Sequence, residues 1–243
     1  MKDESVAPGY LGLLVDVVDV PAYSVAEAAS YLSMPPRTLQ SWVSGRTYST
    51  QDGDRRWSPV IKVADADNAR LSFRNLAEAH VLRTIRQVHG VTFPRISLVF
   101  DYFCREFASD HPLLEIDLKT NGVDLFTERL RHLVNVSKQG QLAVRESLES
   151  SLSRIERDDR HTPRLLYPFT RFAQQVAEAD SPRVIAIRPD VAFGRPIIAG
   201  TGIRADAIND RFVSGESVEE LADDYGLTHE QIEEAVRWVR RAA

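Results

Sequence analysis

Six histidines stand at positions 80, 89, 111, 132, 161 and 229. No two of them sit four apart with a glutamate between, the spacing with which one helix face grips zinc. The single cysteine, Cys104, falls in an apolar run, where burial leaves a thiol inert. One cysteine makes neither an internal disulfide nor a structural zinc site by itself. No Gly-x-Ser-x-Gly nucleophile elbow occurs. Gly200-Thr-Gly202 has the glycines of a phosphate loop but not its further glycine, its lysine or its strand-turn-helix spacing; a glycine turn between short strands accounts for it. The chain is therefore expected to have no catalytic residues, no metal and no cofactor, and not to be an enzyme.

A different chemistry is offered by Arg37, Thr38, Gln40 and Ser41. On a helix these four point away from Leu39, Trp42 and Val43. Arginine forks onto guanine and glutamine onto adenine in the major groove of DNA, and no carboxylate stands among them. A solvated helix face is the competing explanation. Six bases come next, Arg46, Arg55, Arg56, Lys62, Arg70 and Arg74, suited to gripping phosphates.

Charge along the chain agrees with that placement. The net charge of −5 excludes a globally basic nucleic-acid binder. Residues 24–95 nevertheless hold 10 bases against 6 acids, and the segments on either side are net acidic. Of the 30 bases 26 are arginine, whose fork suits phosphate and base edges but equally salt bridges; a GC-rich genome is a second source of arginine.

The elements that must hold these residues are readable. Ser24-Val-Ala-Glu27 is a capping box. It opens a short helix with Ala28, Ala29 and Leu32 on one face. Ser33-Met34-Pro35 breaks that helix, Pro36 suits the first position of the next, and Gly45 can cap it with a positive φ. Val60-Ile-Lys-Val63 reads as a strand, residues 64–68 as a polar turn and Leu71-Ser-Phe73 as the return, which makes a hairpin or wing. A helix from about Arg74 to His89 comes after it, closed by Gly90. Ala29 as the small residue of the first helix, Ser33 at the turn, and Met34, Leu39 and Trp42 as apolar positions resemble the helix-turn-helix of bacterial regulators. Helix, turn, helix, wing and buttress over residues 23–95 resemble the winged head of MerR-type regulators, and that resemblance implies that the wing bases hold the phosphate backbone. Two departures stand out: residues 44–59 form a long Ser/Thr/Asp-rich connector, and no dimerising coiled coil or effector domain succeeds the head.

Residues 93–107 carry Phe93, Phe100, Tyr102, Phe103 and Phe107 beside Ile96, Leu98 and Val99, a helix apolar on two sides. One side suits the head and the other a second copy, unless it is an ordinary core helix. Asn121-Gly122 marks a turn. Gly140-Gln-Leu-Ala143 opens a helix with Val144, Leu148, Leu152 and Ile155 in register. The charged run Arg157-Asp-Asp-Arg160, the break at Pro163 and the apolar Leu165-Leu-Tyr-Pro-Phe169 read as a solvated loop leading to a docking strand.

Val184-Ile-Ala-Ile187 reads as a strand. Ser217-Val-Glu-Glu220 is another capping box, and Leu221, Ala222, Tyr225, Gly226, Leu227, Ile232 and Ala235 space a second helix-turn-helix. Its last helix, capped by Thr228-His-Glu-Gln231, is expected to display Glu230, Glu233 and Glu234, which phosphates repel, so dimerisation or protein docking suits it better than DNA. The run from Arg188-Pro-Asp through Gly194-Arg-Pro-Ile-Ile-Ala-Gly-Thr201 to Ser217-Val-Glu-Glu-Leu-Ala-Asp-Asp-Tyr-Gly-Leu-Thr228 resembles a short bacterial domain of unknown function that recurs in antitoxins encoded beside PIN-like toxins. Gly202 stands where members of that family often have arginine. With Gly140-Gln-Leu-Ala143 and Leu166-Tyr-Pro-Phe169, the arrangement resembles VapB-type antitoxins of actinobacteria and proteobacteria.

The expected fold is mainly α with short β hairpins. It comprises an N-terminal arm (1–22), a winged helix-turn-helix domain (23–95), a helical middle and linker (96–182) and a C-terminal small β plus helix-turn-helix domain (183–243). The resemblance implies a cytoplasmic homodimer that binds double-stranded operator DNA, represses its own operon and neutralises a partner PIN-like ribonuclease, with residues 157–180 or the N-terminal arm as toxin-binding candidates. No segment reaches the ~18 apolar residues of a membrane span. A regulator without a toxin, and a protein-interaction module, are the alternatives.

Overall fold

The computed structural model describes residues 16–50, 53–87, 93–115, 122–134, 138–170 and 181–242. Two short helices open the head, α1 (Val25–Tyr31) and α2 (Pro36–Ser44). Ser24 Oγ accepts from the Glu27 amide at 3.2 Å, and the Glu27 carboxylate accepts from the Ser24 amide at 2.9 Å, so the capping box is complete. Ala28 and Ala29 are fully buried, which lets α2 cross closely. Ser33 takes φ +48° at the turn, the left-handed position that a glycine fills without strain. Leu39, Trp42 and Val43 bury the inner side of α2.

The hairpin differs from the expected one. It is formed by β1 (Arg46–Thr50) and β2 (Gly53–Trp57), antiparallel, with Arg46 opposite Trp57 and Thr47 opposite Arg56. These strands occupy the polar connector, while residues 60–63 form no strand and the chain bends at Val60 and Ile61. The reason is the junction at Gly45. Its φ of +73° turns the chain straight out of α2, and a Cβ there would stand 2.2 Å from the Trp57 carbonyl oxygen. The returning chain is then latched beneath α2, where the amides of Val60 and Ile61 both donate to the Trp42 carbonyl at 2.8 and 3.0 Å. Residues 65–70 make a tight turn, and Leu71 bridges to Tyr23. Asn75 ties this segment down, accepting from the amides of Ala64 and Ser72 and donating to the Lys62 carbonyl.

Helix α3 (Phe73–Gln87) is the spine, with Leu76, Ala77, Ala79, Val81 and Leu82 fully buried. Gly90 lies outside the described residues. Helix α6 (Lys138–Leu152) packs on α3, α5 (Gly122–Val134) on α6, and α4 (Phe93–Glu106) on α5. Phe103 stacks on Phe107 and on Phe126, with ring centroids 5.4 and 4.8 Å away. Val99, Phe100 and Phe103 bury one side of α4, while Leu98 is exposed. Ile155 does not continue α6 as its spacing suggested; it starts β3 (Ile155–Arg157), which pairs with β4 (Pro163–Leu166).

That hairpin joins the middle to the tail. Leu166 and Ile187 exchange backbone hydrogen bonds at 3.0 and 2.8 Å. Next come β5 (Ile185–Ala186) and β6 (Ile197–Ile198), antiparallel, and a glycine turn with Gly200 at φ +78°. Three helices finish the chain: α7 (Ala205–Val213), α8 (Val218–Tyr225) and α9 (His229–Ala242). The Ser217–Glu220 capping box is complete, and Gly226 caps α8 in the left-handed conformation. The head and tail share one hydrophobic core.

Candidate nucleic-acid interface

Helix α2 starts at Pro36, with Pro35 as its extended N-cap, and its apolar side is anchored by Trp42. The opposite side is thereby forced outward. It forms one wall of a cleft of about 480 Å³ lined by Arg37, Thr38, Gln40, Ser41, Arg46 and Arg86. Arg37, Gln40 and Arg46 are exposed, and Thr38 and Ser41 are half-buried. The Gln40 side-chain amide donates to Ser44 Oγ at 2.6 Å and the Ser41 hydroxyl to the Thr38 carbonyl at 2.7 Å, contacts that hold both side chains along the helix. Among the described residues no carboxylate lines the cleft, and three arginines, Arg37, Arg46 and Arg86, do.

The structure divides the other expected phosphate contacts. Arg46 and Arg56 lie on the hairpin and are exposed. Arg55 sits opposite Tyr48, and its side chain lies outside the described residues. Lys62, Arg70 and Arg74 are not on the wing. Lys62 pairs with Asp110 at 2.6 Å. Arg70 donates to the Ala22 carbonyl at 2.8 Å. Arg74 grips Asp19 with two bonds, at 2.6 and 3.0 Å, and Asp19 is the main reason its guanidinium titrates above the usual range. The physical cause is the earlier hairpin, which leaves residues 60–74 to bind the head together. Arg86, near the end of α3, is the residue that sequence reasoning missed. It comes to the cleft from α3, far along the chain from α2, and no local spacing announces it.

The second helix-turn-helix presents another surface. Glu230 and Glu233 are exposed on α9, but Glu234 is not displayed as expected: it is fully buried and ion-paired with Arg237. Helix α9 packs mainly on α7 and α8, and Trp238 near its end reaches the head. Trp238 packs on Tyr31 with ring centroids 5.8 Å apart, Tyr31 meets Tyr23 edge-on at 6.1 Å, and the Tyr23 hydroxyl donates to the Gly194 carbonyl at 3.1 Å. Burial pushes the Tyr23 hydroxyl well above its ordinary range, so it stays a donor.

Cys104 is half-buried, and burial raises its thiol to about 11, protonated at neutral pH. Among the described residues no group of three or more His, Cys, Asp or Glu is placed to hold a metal ion, and no helix is long and apolar enough to cross a membrane. Of the candidate toxin-binding segments, residues 1–15 and 171–180 lie outside the described residues; residues 157–170 run from the end of β3 through the hairpin turn and β4 to Thr170.

Comparison with known proteins adds to this geometry. Residues 21–98 match the family model described as "Putative DNA-binding HTH domain", and residues 185–238 match "Protein of unknown function (DUF433)". Over 236 residues the chain is 29% identical to "Putative antitoxin VapB45" of Mycobacterium tuberculosis (strain ATCC 25618 / H37Rv), covering 90% of this chain and 93% of the relative. The chain resembles a VapB-type antitoxin. The crystal structure of Rv2018 from Mycobacterium tuberculosis shares the fold, with a TM-score of 0.63, 24% identity and coverage of 90% of this chain and 98% of the other. The VapB-like likeness thus runs across head, middle and tail, and the α2 cleft lies inside the helix-turn-helix match.

Proposed function

We propose that the chain is a DNA-binding antitoxin. It represses its own operon through the α2 cleft and, in the cytoplasm, neutralises a partner PIN-like ribonuclease. The observation that carries the DNA half is the cleft itself: four donor-bearing side chains of one helix face, joined by Arg46 and Arg86, with no carboxylate on the wall among the described residues. Arg37 and Gln40 would contact base edges in the major groove, Thr38 and Ser41 base edges or nearby phosphates, and Arg46, Arg55, Arg56 and Arg86 the backbone. Lys62, Arg70 and Arg74 lie off the hairpin and are paired within the chain, so this reading gives them no phosphate. The antitoxin half rests on the likeness to the VapB relative, which spans nearly the whole of both chains. Two half-sites read by a symmetric pair suit such a head, so the working form is a homodimer.

The test is binding to the DNA upstream of its own gene across a salt series. Each phosphate neutralised adds about −0.9 to the log–log slope, so a steep slope is expected, and a flat one removes the DNA reading. Co-purification from the native operon with native mass spectrometry tests the rest. A stoichiometric small protein supports the antitoxin, and its absence leaves a free-standing regulator.

A further inference from the structure

We propose that Phe193 of one copy seats in the cleft between the head and tail of a second copy, and the reverse, so that the chain pairs about a two-fold axis. This rests on the homodimer reading above and gives it a surface.

Phe193 is 95% exposed, while Val213, the next most exposed large hydrophobic among the described residues, is at 64%. It does not hang on a loose loop. Ala192, Phe193 and Gly194 take φ values of +49°, +55° and +74° in succession, a conformation unfavourable for the two residues that carry a Cβ. The turn is pinned from both sides. Gly194 donates its amide to the Val191 carbonyl at 2.9 Å and gives its own carbonyl to the Tyr23 hydroxyl. A Cβ at 194 would stand 2.2 Å from that hydroxyl. The fold therefore holds a large apolar ring outward at a strained position, which its own burial does not repay.

The complementary hollow adjoins it. A cleft of about 790 Å³ separates α1 and the start of α2 from the tail, with Tyr31, Met34, Pro35, Pro36, Trp238 and Arg195 among its walls. Arg195 is two residues beyond Phe193, so their Cα atoms are at most about 7 Å apart. Knob and socket thus lie side by side, the arrangement in which an isologous contact can satisfy both at once. The charges agree with a like partner. Glu27 and Asp206 stand with Arg195 and Arg241 on the cleft wall, two of each sign, so two copies meet without net repulsion. Arg195 stands 3.8 Å from Glu27 and beside the Tyr31 hydroxyl, which puts its guanidinium at the edge of the socket, where a cation can meet an incoming ring. Pro35 and Pro36 begin α2, so seating Phe193 between them and Trp238 would also set the separation of the two α2 helices, on which half-site spacing depends.

The experiment measures self-association by sedimentation and native mass spectrometry, with and without the upstream DNA. Phe193→Asn keeps the left-handed turn, which asparagine tolerates. Ala26→Trp fills the socket from an exposed position on α1. Circular dichroism checks that both variants fold. A dimeric wild type is expected, each variant weakening the dimer by about 30-fold or more, the loss typical of a buried aromatic anchor. An equimolar mixture should recover a heterodimer, because that pair keeps one knob and one open socket. A wild-type dimer that survives Phe193→Asn uses another face, which overturns this inference and leaves the homodimer standing. A wild type monomeric even on DNA overturns both. A monomer whose capture of a copurified toxin needs Phe193 overturns the self-pairing and assigns the knob to that partner.

Discussion

Residues 24–45 and 217–242 obey the same local rules and serve different surfaces. Each begins with a complete Ser-x-x-Glu capping box, and each closes a helix on a positive-φ glycine, Gly45 and Gly226. They part beyond those glycines. Gly45 launches a basic hairpin and leaves the outer side of α2 free of carboxylates, whereas Gly226 leads into α9, whose outer side carries Glu230 and Glu233 and whose inner side carries Trp238 onto the head. The helix-turn-helix spacing therefore specifies a fold, and the charge on the outward side decides what the fold can meet.

The glycines give the strongest way to break that comparison. Gly45→Ala must relieve both a strained φ and a 2.2 Å clash with the Trp57 carbonyl; it should cost about 3 kcal/mol and abolish DNA binding by unseating the hairpin. Gly226→Ala has the same φ problem but open space around it, so it should cost only about 1–2 kcal/mol and leave DNA binding intact. Thermal melts with binding assays check both, and equal losses would erase the distinction between the two turns.

Acid should loosen the head's spine. Burial, with Arg83 and Arg154 nearby, lowers His80 on α3 to about 3, and its ring stacks on Phe169 at 4.9 Å. An unfolded chain takes up this proton below about pH 6.5 while the folded one refuses it. The contribution to stability is thus complete above that pH and falls by about 1.4 kcal/mol per unit toward pH 3. His80→Phe keeps the stack and should flatten this part of the slope in denaturant titrations at pH 7, 5.5 and 4.5. An unchanged slope would mean that His80 is already charged in the fold.

Finer contrasts come from the outward sides. Arg37→Ala should cost about 1–3 kcal/mol of operator affinity and relax sequence preference, while Glu230→Ala leaves it unchanged; equal loss on scrambled DNA would make Arg37 a phosphate contact. Smallest is the salt response. Arg46→Ala should reduce the log–log slope by about 0.9 and Lys62→Ala, already paired with Asp110, should not.

Legibility in the sequence tracks this division. Both capping boxes, the turn at Ser33 and the apolar side of α2 are local and short-range, and they stand where their spacing puts them. The hairpin was misplaced because Val60-Ile-Lys-Val63 has the β-branched residues of a strand, while β1 and β2 are largely polar and, where described, mostly exposed, without the apolar alternation that marks a half-buried pair. The burial of Glu234 was not legible because it depends on how α9 packs against α7 and α8. The cleft was legible in the residues of α2 and illegible in Arg86, whose arrival depends on how α3 lies beneath the head. Phe193 gave no signal, since nothing in a sequence marks a ring that the fold fails to cover.

The bond from Tyr23 to Gly194 spans 171 residues. At a synthesis rate of roughly 5–20 residues per second, the head waits about ten to thirty seconds on the ribosome before the carbonyl that completes it exists. During that interval Tyr31 has no Trp238 to lie against. A head released early, by a nonsense codon or a nick in the linker, would be short of its own packing. The order of translation thus makes the complete packing of the head a property of finished chains.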